Sequence, residues 1–203
     1  PHLKEYVLCK EMGQCCGGRV EVFFEIIPRQ KQIHLFGGGH VGRAVAQVFS
    51  QMSFHLTLID PRPDWATPEG LPSELHTLLM DPLRYVQSQP WNENDAVCIF
   101  THSHDLDFLL VQYFLKQPLG YLGLIGSQHK ADIFLARLKS SSEPDLAEVW
   151  EDKMHCPIGI PLDSKNPKII AVSIAAEVLK EWGLKDSLVS RVESQESTDQ
   201  VQV

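Results

Sequence analysis

The residues with the most chemical promise are glycines. Gly37-Gly38-Gly39-His40-Val41-Gly42 fits G-x-G-x-x-G through Gly37, Gly39 and Gly42. Such a turn works only between a strand and a helix. The first glycine then permits a tight bend, the second lets phosphate oxygens reach the backbone, and the third lets helix and strand pack closely. The helix that follows offers unpaired N–H groups and the positive end of its dipole to an anion. Asp60 stands 23 positions after Gly37, where an acid meets a ribose hydroxyl pair, and nearby Arg62 is placed to contact a 2′-phosphate, so NAD and NADP are both open. The alternative is a fold of this kind that has lost its dinucleotide and uses its crevice otherwise.

Further polar clusters fall where strands are expected to end, which is where open α/β sheets bind ligands. Thr101-His102-Ser103-His104-Asp105 carries donors, acceptors and two imidazoles. Gly126-Ser127 follows the next apolar run. Each cluster has a plainer reading, in which Ser103, Asp105 or Ser127 caps a helix and the histidines lie on the surface. His102 and His104, two apart with no cysteine or carboxylate at ligand spacing, make a poor zinc signature, so no structural metal is expected. Cys156, beside Pro157 in a loop, either faces a ligand or is a small buried residue. Cys15 and Cys16, flanked by Gly13, Gly17 and Gly18, are either accessible thiols or ordinary packing residues.

The elements that must position these groups alternate. Short apolar runs at 32–36, 55–59, 75–79, 96–101 and 121–125 read as strands. Apolar spacing predicts helices over 41–52, 106–116 and 127–139, with shorter ones at 82–89 and 146–153. Asn166-Pro167 opens a last helix, and Gly183 is placed to close it in the left-handed conformation. Residues 61–72 hold four of the thirteen prolines and read as a loop. Alternation of strand and helix implies parallel pairing with crossovers, hence an α/β fold with a Rossmann-like doubly wound sheet. Before it, residues 1–19 read as irregular and 20–27 as a strand. A polar joint at 28–31 marks a boundary, and beyond Leu188 the chain is polar and expected to be mobile. The division is therefore 1–30, 31–185 and 186–203.

Composition narrows the function classes. The chain has 203 residues, 43% hydrophobic and 22% charged, as in an ordinary soluble globular protein. No apolar run reaches the 18 or so residues of a membrane span. A net charge of −8 argues against nucleic-acid or anionic-membrane partners, so a phosphorylated ligand must be held by local N–H groups. Five cysteines, an odd number, fit a reducing cytoplasm better than a disulfide framework.

Several motifs coincide with one family. Gly13-Gln14-Cys15-Cys16-Gly17-Gly18-Arg19 resembles the stretch that closes the N-terminal domain of XdhC/CoxI proteins. Leu35–Gly42, Asp60-Pro61-Arg62-Pro63, Thr101-His102, Gly123-Leu124-Ile125-Gly126-Ser127, Cys156-Pro157-Ile158-Gly159 and Ile170–Glu177 resemble their C-terminal Rossmann domain. The resemblance runs in order over roughly residues 13–180. Gln128 stands where the family usually has arginine, Ser164 where it has glycine, and Ile169 where an acid is common.

The resemblance implies an accessory role, non-catalytic rather than enzymatic. Such proteins bind molybdenum cofactor, a pterin, and pass it to xanthine dehydrogenase or a related molybdenum hydroxylase. They work as dimers and meet a cysteine desulfurase. The expected cofactor-binding residues are the glycine turn from Gly37 to Gly42, Asp60, Arg62, Thr101, His102, Ser103, Gly126, Ser127, Cys15, Cys16 and Cys156. A soft thiolate near the metal is chemically sensible. The alternatives are an NAD(P)-dependent oxidoreductase, with His102 or His104 as general acid, and a dinucleotide-sensing module.

Overall fold

A computed structural model describes residues 2–7, 19–25, 30–73 and 75–183. Among the described residues, eight strands fall into two sheets. Strands β1 (His2–Val7) and β2 (Arg19–Phe24) pair antiparallel, with Glu5 opposite Glu21 and Val7 opposite Arg19. The expectation of irregular chain before residue 20 is thus corrected at β1. HLKEYV gives only weak alternation, and its pairing depends on a partner more than ten residues away. Cys15, Cys16 and the segment 186–203 lie outside the described residues.

The second sheet has six parallel strands in the order β5-β4-β3-β6-β7-β8. These are β3 (Gln32–Phe36), β4 (His55–Asp60), β5 (His76–Leu79), β6 (Asp95–Ile99), β7 (Tyr121–Leu124) and β8 (Met154–His155). The order is that of a doubly wound Rossmann sheet, and it reverses direction between β3 and β6. The edge strand β8 has two residues, too few for periodicity to reveal, so the sequence showed only a loop there.

Helices α1 (His40–Phe49), α2 (Pro82–Gln87), α3 (His104–Phe114), α4 (Gln128–Lys139), α5 (Leu146–Lys153) and α6 (Pro167–Val178) cover the sheet. Strand alternation sorts the core into two layers. Ile33, Leu35, Leu58 and Cys98 face Val45, Phe49, Ile174 and Val178 of α1 and α6. Phe36, Ile59, Val97 and Ile99 face Phe108, Val111, Phe114 and Phe134 of α3 and α4. Both layers are apolar because a parallel sheet is covered on both faces. Gly183 does not end α6 in the left-handed conformation; Leu179–Gly183 continues it as a π-turn. That turn seats Trp182, whose indole N–H donates to the Glu93 carbonyl at 2.8 Å. Among the described residues no helix is long and apolar enough to cross a membrane.

Candidate cofactor-binding crevice

Strand order puts the loops after β3 and β6 side by side. Gly37 needs to be glycine: its φ is +115°, and a Cβ there would lie 2.5 Å from the Phe100 carbonyl oxygen. Gly42 faces back onto the turn, where a Cβ would sit 1.9 Å from the Gly37 oxygen. Helix and turn therefore touch backbone to backbone. Gly39 is different. It is the N-cap of α1 with extended backbone, and nothing lies within 4 Å of where its Cβ would be. Gly39 has no side chain with which to cap the first N–H groups of α1. His40 is exposed and Val41 half-buried.

Asp60 ends β4 and is 1% exposed. Its Oδ2 accepts from the Gly38 N–H at 2.7 Å and from Arg62 Nη2 at 2.7 Å. Its Oδ1 accepts from the Arg62 backbone N–H at 2.9 Å and from Arg62 Nε at 2.8 Å. Burial alone would raise the carboxyl pKa, but these hydrogen bonds outweigh it and hold the group below its usual value. The same partnership raises the Arg62 pKa.

Thr101, just beyond β6, donates its hydroxyl to Asp107 Oδ1 at 2.6 Å. Lys130 Nζ donates to Asp107 Oδ2 at 2.6 Å and to the Ile125 carbonyl at 2.9 Å. The Asp107 side chain is fully buried and that of Lys130 is 11% exposed. A charged pair thus forms the floor between the ends of β6 and β7. Gly126 gives it room, because a Cβ there would meet Lys130 Cδ at 2.7 Å. Ser103 and Ser127 cap α3 and α4, accepting from the N–H groups of Leu106 and Lys130, each at 3.3 Å. His102 and His104 are exposed.

Cys156 follows β8 directly and is half-buried. Desolvation pushes its thiol up to about 11, with Lys130 pulling it down and Asp107 pushing it up. The chain then turns along the strand ends, where the Ile158 N–H donates to the Leu124 carbonyl at 3.0 Å. Between this turn and the start of α6 lies a cavity of about 590 Å³, lined by Gly126, Pro157, Gly159, Leu162, Ser164 and Ser173 among others. That volume lies in the range of small-molecule and cofactor sites.

The sequence-expected residues therefore fall into two neighbouring groups. Gly37–Gly42, Asp60 and Arg62 cluster at the β3–β4 side, and Thr101, Gly126, Ser127 and Cys156 at the β6–β8 side. Asp107 and Lys130 were missed. Asp107 sits three, four and seven residues before the buried Leu110, Val111 and Phe114, and Lys130 four and eight before the buried Phe134 and Leu138. An acid and a base on apolar helical stripes were the available signal.

Comparison with known proteins agrees with this architecture. A family model described as the XdhC Rossmann domain matches residues 33–178. An uncharacterized protein, YqeB, of Escherichia coli K12 is 29% identical over 170 residues, covering 83% of this chain and 30% of that protein. A protein of Bacillus subtilis 168 described as a probable xanthine dehydrogenase subunit is 24% identical over 159 residues, covering 78% of this chain and 45% of that one. The chain thus spans less than half the length of either relative. A crystal structure of a protein described as a xanthine dehydrogenase, from Bacillus halodurans, superposes with a TM-score of 0.65 at 22% identity, over 77% of this chain and 44% of that one, a likeness of fold. With the family model spanning most of its length and a matching strand order, the chain belongs to the XdhC family through its Rossmann domain.

Proposed function

We propose that this chain is the Rossmann part of an accessory protein that binds molybdenum cofactor and delivers it to xanthine dehydrogenase or a related molybdenum hydroxylase. The observation that carries this reading is the cavity beyond β7 and β8. It brings Gly126, the turn after Cys156 and the start of α6 around one space of cofactor size. Its apolar walls, Ile125, Ile158, Leu162 and Ile170, suit a flat heteroaromatic ring. The family and the name of the Bacillus subtilis relative agree with service to a molybdenum hydroxylase.

The residues present fit such a ligand. Cys156, next in sequence to the lining residue Pro157, supplies a soft sulfur, and Cys15 and Cys16 are further thiols for the same role. A metal would stabilise the thiolate that burial disfavours at Cys156. The open N-terminus of α1 at Gly39 suits the anionic end of a phosphorylated pterin. Thr101 and the Asp107–Lys130 pair position the loops after β6 and β7. When bound, the cofactor supplies the redox chemistry of the enzyme that receives it; this chain binds, orients and shields. A homodimer, a cysteine desulfurase partner and a cytoplasmic location belong to the same proposal.

The test is retention. Protein incubated with purified molybdenum cofactor is desalted, and molybdenum and pterin fluorescence are counted in the protein fraction. Wild type should retain both together, and Cys156→Ala should lose most of the molybdenum with its melting temperature nearly unchanged. Wild type that retains neither refutes the reading.

A further inference from the structure

The glycine turn carries the features of a dinucleotide site, but the segment after β4 lies where half of a dinucleotide would go. In a Rossmann crevice the adenosine sits over the end of the second strand, its ribose hydroxyls on the acid there and its pyrophosphate at the glycine turn. Here that acid is Asp60, and its four hydrogen bonds come from Gly38 and Arg62. A carboxylate offers about four acceptor positions, so none is left for a ribose. The Arg62 guanidinium is held in two bonds by Asp60 and lies 5.2 Å from the Trp65 ring centroid, so a 2′-phosphate does not have its charge to itself.

The roof continues past Arg62. Trp65 stands edge-on to His40, ring centroids 5.3 Å apart, at the first residue of α1. Its carbonyl presses on the turn: a Cβ at Gly38 would lie 2.2 Å from the Trp65 oxygen. The far end of the segment is tied to α1. Arg43 donates to the Thr67 carbonyl at 3.0 Å and also to the Glu69 carbonyl, and Gln47 donates to the Gly70 carbonyl at 3.1 Å. Within the segment, Ala66 is buried.

We infer that residues 61–70 occupy the adenosine half of the crevice, so that the chain rejects adenine dinucleotides, with Arg62 and Trp65 as the residues that set this specificity. Ligands reach the crevice from the β7–β8 side. The inference stands apart from the molybdenum reading and separates the fold from the dinucleotide chemistry that its glycine turn suggests.

The probes are NAD⁺, NADP⁺ and ADP-ribose, titrated calorimetrically into the full chain and into an Arg62→Ala/Trp65→Ala variant. Wild type should show no saturable binding up to about 1 mM. The variant should bind ADP-ribose roughly tenfold or more tightly than wild type, since the roof and the competitor for Asp60 are both gone. Should the double variant not fold by circular dichroism, Arg62→Gln takes its place, with a smaller gain of the same sign. Saturable wild-type binding well below 1 mM overturns the inference. So does a folded variant that gains no affinity for ADP-ribose.

Discussion

Lys130→Met tests the crevice floor most severely. The Lys130–Asp107 contact is 2.6 Å, with side chains 11% and 0% exposed. Removing the ammonium leaves the Asp107 carboxylate with the Thr101 hydroxyl as its remaining partner of the two at hydrogen-bond distance. Breaking a buried pair from one side costs about 3–5 kcal/mol, because the surviving charge stays desolvated. At about 2–4 °C per kcal/mol for a domain of this size, the melting temperature should fall by about 10 °C. Replacing both members is another matter. Asp107→Leu with Lys130→Met removes both buried charges and should cost only about 1–2 kcal/mol, mainly for the bonds lost by Thr101 and the Ile125 carbonyl. The cycle then gives a coupling of about 2 kcal/mol or more. Urea unfolding followed by far-UV circular dichroism measures all four corners. A Lys130→Met variant within about 1 kcal/mol of wild type, or a double variant as unstable as the sum of the singles, refutes the reasoning.

Three further outcomes follow from the same geometry. Gly37→Ala should destabilise by about 3 kcal/mol, from a left-handed φ and a clash with Phe100, whereas Gly39→Ala should stay within about 1 kcal/mol, because its Cβ meets nothing; denaturant midpoints that rank them the other way contradict this account of the turn. Asp60 has a lowered folded pKa, so its contribution is fully present above the unfolded value of about 3.9 and is lost as pH falls through the folded one. Asp60→Asn should therefore cost about 2 kcal/mol near neutral pH, with the gap to wild type closing below about pH 4, and a gap that stays constant into strong acid counts against the bonding described. Cys156, with its thiol pushed up to about 11, should alkylate slowly near neutral pH and faster as pH rises, as peptide mass mapping with iodoacetamide would record; rapid labelling near neutral pH would mean that the thiol is not desolvated.

Much of the fold was legible because its signals are local. The strand before Gly37, the helix after it and the apolar run at 96–99 each declare themselves over five to ten residues. Asn166-Pro167 announces α6 because the cap and the proline are neighbours; Asn166 accepts from the Lys168 N–H at 3.0 Å. What stayed hidden depends on contacts across the chain. β1 needs β2, and β8 is only the two residues that pair with Leu122 and Gly123. Gly183 carries the usual signal for a helix end, but packing of Trp182 beneath Glu93 sets the backbone there instead.

The crevice followed the same rule. The glycine turn, Thr101 and Gly126 could be placed at strand ends from sequence alone, whereas Cys156 read only as a loop residue because β8 before it is too short to show. The pairing of Asp107 with Lys130 joins two helices 23 residues apart, and no local pattern states it. Arg62 is instructive in another way. Its proximity to Asp60 suggested a phosphate contact, yet two residues of separation also suffice for the guanidinium to fold back onto the carboxylate. Spacing brought the right residues together and left their partners undetermined.

The most direct test of the central proposal is to identify the small molecules released from gently purified protein, by mass spectrometry together with molybdenum analysis. The account predicts a pterin accompanied by molybdenum and no adenine dinucleotide. Released NAD or NADP without pterin or molybdenum would contradict it.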